Sequence, residues 1–163
     1  MISCLGVPND PKTLLSPPPL YTKGTRRIVE AMEAEGVRRL AVISASFVAT
    51  TDRGPFLFRT AVLTALHRVL EQMREMEAML RASPLDWTAA RPGWLMEAEA
   101  TADPWIGPDV IPEELIRTRT GDLAALLLDC AVHDHWLRQT PAIARAEDDL
   151  KESSTEVILE MLA

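Results

Sequence analysis

The sequence predicts an α/β domain, a parallel sheet with helices on its faces. Three observations lead there. Short continuous apolar runs such as Leu40-Ala41-Val42-Ile43 recur along the chain. They alternate with longer segments of helical apolar spacing, and turn formers stand at the junctions. Continuous apolar runs fit strands covered on both faces, as in parallel sheets, and strand–helix alternation argues for parallel crossover units.

The elements follow in order. Met1 to Leu5 is a short apolar run ending at Gly6, read as a buried strand closing in a turn. Pro8, Pro11, Pro17, Pro18 and Pro19 then rule out helix or central strand, leaving a loop. A helix is predicted over residues 22–35, where Ile28, Ala31, Met32 and Glu35 mark successive turns and Gly36 suits the residue past the end. The strand 40–43 stops at Ser44. A long helix is predicted over 56–82, with Leu57, Ala61, Leu66, Val69, Met73, Met76 and Leu80 on one stripe and Ser83-Pro84 as its stop. Residues 85–90 read as the third strand, ended by Arg91-Pro92-Gly93. An irregular stretch over 97–112 precedes a helix over 121–132 capped by Thr120. A short strand at 142–144 follows, and Ser153 with Glu156 can form a capping box for a last helix. The whole, residues 1–163, reads as one domain without repeats.

Composition narrows the partners. The net charge of -7 argues against nucleic acid, because binding phosphate backbones needs clustered cations. Arg26, Arg27, Arg38 and Arg39 are a local exception, read as a solvated face. No apolar run approaches the roughly 20 residues of a membrane span. The start lacks a secretory pattern. Cys4 and Cys130 fit no metal spacing and suit a reducing compartment, so a cytoplasmic location is expected.

Several blocks carry a resemblance. They are Ile2 to Gly6, Tyr21 to Val29 with Gly36 to Leu40, Val42 to Ser46, and Glu77 to Leu80 with Ser83, Leu85-Asp86-Trp87-Thr88 and Arg91-Pro92-Gly93. A weaker one is Thr120 to Ala124. In order and spacing they resemble the atypical short-chain dehydrogenase/reductases, especially the NmrA-like and biliverdin reductase B (flavin reductase)-like branch. The resemblance implies a Rossmann-like sheet in which Leu5-Gly6 closes the fourth strand, so that this sequence holds the second half of the fold. The glycine-rich phosphate loop of such folds uses G-x-G-x-x-G at a helix N-terminus. None of the seven glycines here forms that pattern. One expectation is therefore that Met1 is an internal codon and that the natural protein begins about 70 residues upstream, where the phosphate-binding half would lie. Another is that the first strand, left as an apolar edge, pairs with a second copy or a complementing polypeptide.

The resemblance also implies a site. Cys4, Leu5, Gly6, Ser44, Ala45, Arg91, Pro92 and Gly93 would line the crevice for NADP or NAD, since ligands sit at the carboxyl ends of parallel strands. Ser44 and Ser46 would offer hydroxyls near the nicotinamide as catalytic candidates; they could equally end a strand by satisfying local backbone groups. Trp94 and Trp105 either wall a pocket for a small planar substrate or belong to the core. The Tyr-x-x-x-Lys pair of short-chain dehydrogenases is absent; the only tyrosine, Tyr21, reads as a packing or capping residue. His133-Asp134-His135 lacks a third ligand, so no metal is expected. Together these point to an NAD(P)H-dependent reductase of a flavin-like or conjugated substrate. A cofactor-free relative acting as a dimerising or partner-binding protein is the alternative.

Overall fold

The structure is a computed structural model describing residues 1–8, 10, 13, 16–53, 59 and 63–148. A five-stranded sheet runs in the order β1-β2-β3-β7-β5. Its strands are β1 (Ile2–Ser3), β2 (Arg39–Ile43), β3 (Asp86–Pro92), β5 (Trp105–Pro108) and β7 (Pro141–Ala144). A separate parallel pair joins β4 (Trp94–Met96) to β6 (Arg117–Arg119). Among the described residues, three helices of ten residues or more flank the sheet: α1 (Thr25–Ala34), α2 (His67–Ala82) and α3 (Thr120–His133). No helix among the described residues is long and apolar enough to cross a membrane.

The central strands show why continuous apolar runs were needed. Successive strand side chains point to opposite faces. Leu40 and Val42 of β2 join Trp87 and Ala89 of β3 in a core with α1 and α2. Ala41 and Ala90, the alternate residues, meet Leu123, Leu126, Leu127 and Cys130 of α3 on the other face. Helices therefore cover both sides of residues 40–42 and of residues 87–90, which are buried throughout. The α2 stripe is as predicted from Val69 through Met73, Met76 and Leu80, all buried.

The observed elements correct several expectations. The first helix begins at Thr25, because residues Leu20–Gly24 form a wide π-type turn instead. The third strand runs on through Arg91 and Pro92, which pair in parallel with Ala142 and Ile143. Pro92 is tolerated there because the ladder needs no amide proton from it. The stretch read as irregular contains β5, which pairs antiparallel to β7, Trp105 opposite Ala144 and Pro108 opposite Pro141. The sheet is thus parallel except at this edge. At the other edge, β1 pairs only with β2 among the described residues. It is not a buried strand: Met1 and Ile2 are exposed, and so is Cys4. The start of the long helix expected from residue 56 and the last helix with Ser153 and Glu156 lie outside the described residues.

Candidate functional site

Strands β1, β2 and β3 are parallel and end at one side of the sheet. The segments that leave them, residues 4–7, Ser44, Ala45 and Phe47, and residues 93–97, wall a cavity of about 530 Å³ with α2 as its far side. Of the residues expected to bind a cofactor, Cys4, Leu5, Gly6, Ser44, Ala45, Pro92 and Gly93 line it, and so does Trp94. The rest of the wall is mostly apolar: Val7, Phe47, Leu66, Val69, Leu70, Met73, Leu95 and Met96. An apolar cavity with few polar groups suits a planar ligand.

Three expected site residues are placed elsewhere. Ser46 is fully buried and its Oγ donates to the Arg91 carbonyl at 2.8 Å, so it joins the ends of β2 and β3. Arg91 is buried with its guanidinium turned to α2 and to the backbone of Asp109. Trp105 packs against Ile111, Ala142 and Ala144 on the far side of β7, away from this cavity. Its place on the antiparallel edge strand accounts for that.

Gly93 lines the cavity, and the fold itself requires a glycine there. A Cβ there would lie 2.2 Å from the Ile116 carbonyl oxygen. The missing side chain admits the chain entering β6. The Gly93 N–H donates to Thr118 Oγ1 at 2.9 Å, and Thr118 in turn donates to the Ile143 carbonyl.

Behind the cavity wall lies an ionic cluster that sequence reading missed. Glu77 of α2 is 1% exposed. Its Oε1 accepts from Ser44 Oγ at 2.7 Å and from Arg91 Nε at 2.9 Å. Its Oε2 accepts from Arg91 Nη2 at 2.7 Å and from Arg81 Nη2 at 2.9 Å. Burial pushes this carboxyl up, but hydrogen bonds from Arg91 and Ser44 and the Arg91 charge outweigh it and hold it below the ordinary range. The signal was present in the sequence: Glu77 falls on the same stripe as Met73 and Leu80, where a lone charge needs a buried partner.

Tyr21, read as a packing residue, also lines the cavity while lying in the core. Burial pushes its phenol above the ordinary value, against a hydrogen bond from the Val7 backbone, so it stays protonated at neutral pH. At the opposite end of the sheet, His133 and His135 both turn Nδ1 to the Asp129 carboxylate, at 3.0 and 2.6 Å. No cluster of three or more metal-ligating side chains occurs among the described residues.

A family model described as NAD(P)H-binding matches residues 2–134. Among solved structures, the oxidoreductase ylbE from Lactococcus lactis superposes with a TM-score of 0.65 at 25% identity, covering 91% of this chain and 63% of that one. A short-chain dehydrogenase/reductase from Veillonella parvula in complex with NADP gives 0.62 at 15% identity, covering 94% and 66%. ChuY from Escherichia coli O157:H7, an anaerobillin reductase, gives 0.63 at 22% identity, covering 82% and 62%. The chain spans less than two thirds of the length of each of these three. No curated protein gives a significant match. The fold is Rossmann-like, with parallel strands and flanking helices as in these structures. With more than half of its length matched by that model, the chain belongs to the NAD(P)H-binding family.

Proposed function

We propose that the chain is the ring-binding part of an NAD(P)H-dependent oxidoreductase of the atypical short-chain type, acting on a flavin-like or other small conjugated substrate. The observation that carries this reading is the apolar cavity at the carboxyl ends of β1, β2 and β3, with Ser44 and Tyr21 among its few polar side chains.

The residues present fit one end of the cofactor. Phe47, Met73, Trp94 and Met96 offer apolar surface to a flat ring, and Ser44 offers a hydroxyl. The described lining contains no Lys or Arg and no glycine-rich turn, so it fits the nicotinamide and not the pyrophosphate. When bound, the nicotinamide supplies the hydride. The chain's own part is to orient the ring against the β2 and β3 ends and to exclude water with Leu66, which caps α2, and with Leu70 and Met73 of α2. Glu77 and Arg91 hold those strand ends in place from behind. A conjugated substrate needs no dedicated Tyr–Lys acid pair, because solvent can deliver the proton after hydride transfer.

NADPH or NADH titration followed by intrinsic fluorescence tests the reading. Saturable binding is expected, and Leu70→Trp, which fills the cavity from α2, should abolish it, with far-ultraviolet circular dichroism showing that the fold is kept at a stability cost of about 1–3 kcal/mol. No response at millimolar cofactor by wild type would overturn it.

A second reading is favoured by one observation. Met1, Ile2 and Val37 are exposed, and beside them Met1, Ile28, Ala31 and Met32 wall an apolar groove of about 460 Å³. In this reading β1 pairs with a second copy or with a complementing polypeptide. Light scattering distinguishes it: a stable dimer that Ile2→Lys dissolves supports the edge-pairing role.

A further inference from the structure

Ser44 is the one hydroxyl on the cavity wall whose proton the structure accounts for completely. Its partner, Glu77, receives four hydrogen bonds, from Ser44 Oγ, from Arg91 twice and from Arg81. A carboxylate held by two guanidinium groups is ionised and accepts only. Ser44 must therefore be the donor at 2.7 Å, and its single proton points away from the cavity toward α2. The backbone of Ser44 is also committed, its N–H donating to the Ala90 carbonyl at 2.7 Å. The hydroxyl oxygen keeps lone pairs that receive no hydrogen bond among the described residues, and the residue lines the cavity.

We propose that Glu77 is a positioning residue which, by taking the Ser44 proton, makes Ser44 a fixed hydrogen-bond acceptor on the cavity wall, and that this acceptor receives the amine of the nicotinamide carboxamide. The inference rests on the reading of the cavity as a nicotinamide pocket. It assigns Ser44 a role other than proton donation to substrate: its proton is held by a group that cannot give one back. It also gives the site a chemical preference, for a ring bearing an N–H at that edge over an isostere with none.

A matched pair of cofactors measures this directly. In the 3-acetylpyridine form of the oxidised dinucleotide a methyl replaces the carboxamide amine and the carbonyl is kept. Wild type should bind the carboxamide form roughly ten- to a hundredfold more tightly, because the acetyl form leaves the buried acceptor unpaired. Ser44→Ala should bring the ratio close to one, with a lowered thermal midpoint from the lost hydrogen bond to Glu77 that does not itself alter the ratio. Glu77→Gln can offer its own N–H to Ser44 and free the hydroxyl proton, so the ratio should fall there too. If Glu77→Gln does not fold, the Ser44→Ala ratio still decides. Equal binding of the two forms by wild type, or a preference that survives in Ser44→Ala, would overturn the proposal while leaving the nicotinamide pocket standing. Failure of wild type to bind either form would remove the pocket reading itself and the proposal with it.

Discussion

Glu77 and Arg91 meet as a two-pronged ion pair, Nε to Oε1 at 2.9 Å and Nη2 to Oε2 at 2.7 Å, with side chains 1% and 7% exposed. The pair ties α2 to the end of β3 where the strand leaves the sheet for the cavity. A charge pair this buried is not by itself a large source of stability, because desolvation offsets much of the attraction. Breaking it is another matter, since either partner alone is a buried charge. Glu77→Ala should therefore cost about 3–5 kcal/mol. The double change Glu77→Leu with Arg91→Met should cost markedly less than the two single changes summed. Urea unfolding of wild type, Glu77→Ala, the two single changes and the double variant checks both statements, and additive losses would show that the charges do not depend on each other.

Acid stability follows from the same carboxyl. Its folded value lies below the 4.5 of an unperturbed glutamate, so the unfolded chain binds the proton more readily. The contribution is fully present above about 4.5 and is lost as pH falls through the lower folded value. Wild type should lose stability progressively below that point. Glu77→Gln should start less stable at neutral pH and show a shallower acid limb. Urea midpoints measured from about pH 7 down to about pH 3 give the two slopes.

Ser46 offers a smaller and cleaner test. Its hydroxyl donates to the Arg91 carbonyl in a fully buried setting. Ser46→Ala removes this buried hydrogen bond at about 0.5–1.5 kcal/mol, because Arg91 also pairs in the ladder between β3 and β7. Binding at the cavity should be unchanged apart from this loss, because Ser46 does not line it. A selective loss of cofactor affinity with unchanged stability would contradict that placement.

Gly93→Ala should be among the most damaging single-atom additions in the chain. The added methyl would sit 2.2 Å from the Ile116 carbonyl oxygen and 3.0 Å from its carbon, both backbone. Relief requires β6 to move away from β4, whose residues Trp94, Leu95 and Met96 pair with Arg117, Thr118 and Arg119. Loss of several kcal/mol or of soluble protein is expected, on the scale of overpacking a tight core. Far-ultraviolet circular dichroism and expression yield would report it.

The sequence was most informative where burial on both faces left the chain little choice. Leu40 to Ile43 and Leu85 to Ala90 read as strands because helices on both faces leave most positions apolar; Thr88, a buried exception, donates to the Trp136 carbonyl. It was least informative for short elements. β6 is Arg117-Thr118-Arg119, three polar residues whose burial comes from the β4 pairing and from neighbouring β7, neither of which leaves a periodic trace. β5 contains Gly107 and Pro108, which read as loop, and its antiparallel direction depends on a partner more than thirty residues away. At the site, Ser44, Pro92 and Gly93 were reached through resemblance. Glu77 was within those same blocks but looked like an ordinary helix-surface charge until its neighbours Met73, Met76 and Leu80 placed it facing inward. Trp105 could not be separated from Trp94 by residue type, since both are large aromatics near a strand end; only the strand each belongs to decides.

The register of the central strands has a consequence for how the molecule assembles. Arg39 lies beside Asp86, and Arg91 beside Ala142, so each central pairing must bring together segments about fifty residues apart. Closing such loops costs entropy before any ladder is gained. Between them, α2 and β3 are joined by a tight connection at Ser83 and clasped by residues only 14 apart. That helix–strand unit is the natural seed, onto which β2 and then β7 can be added. Substitutions in it should slow folding, and substitutions in β7 should mainly hasten unfolding. Stopped-flow measurements on Leu80→Ala and Ile143→Val would show that division of labour in time.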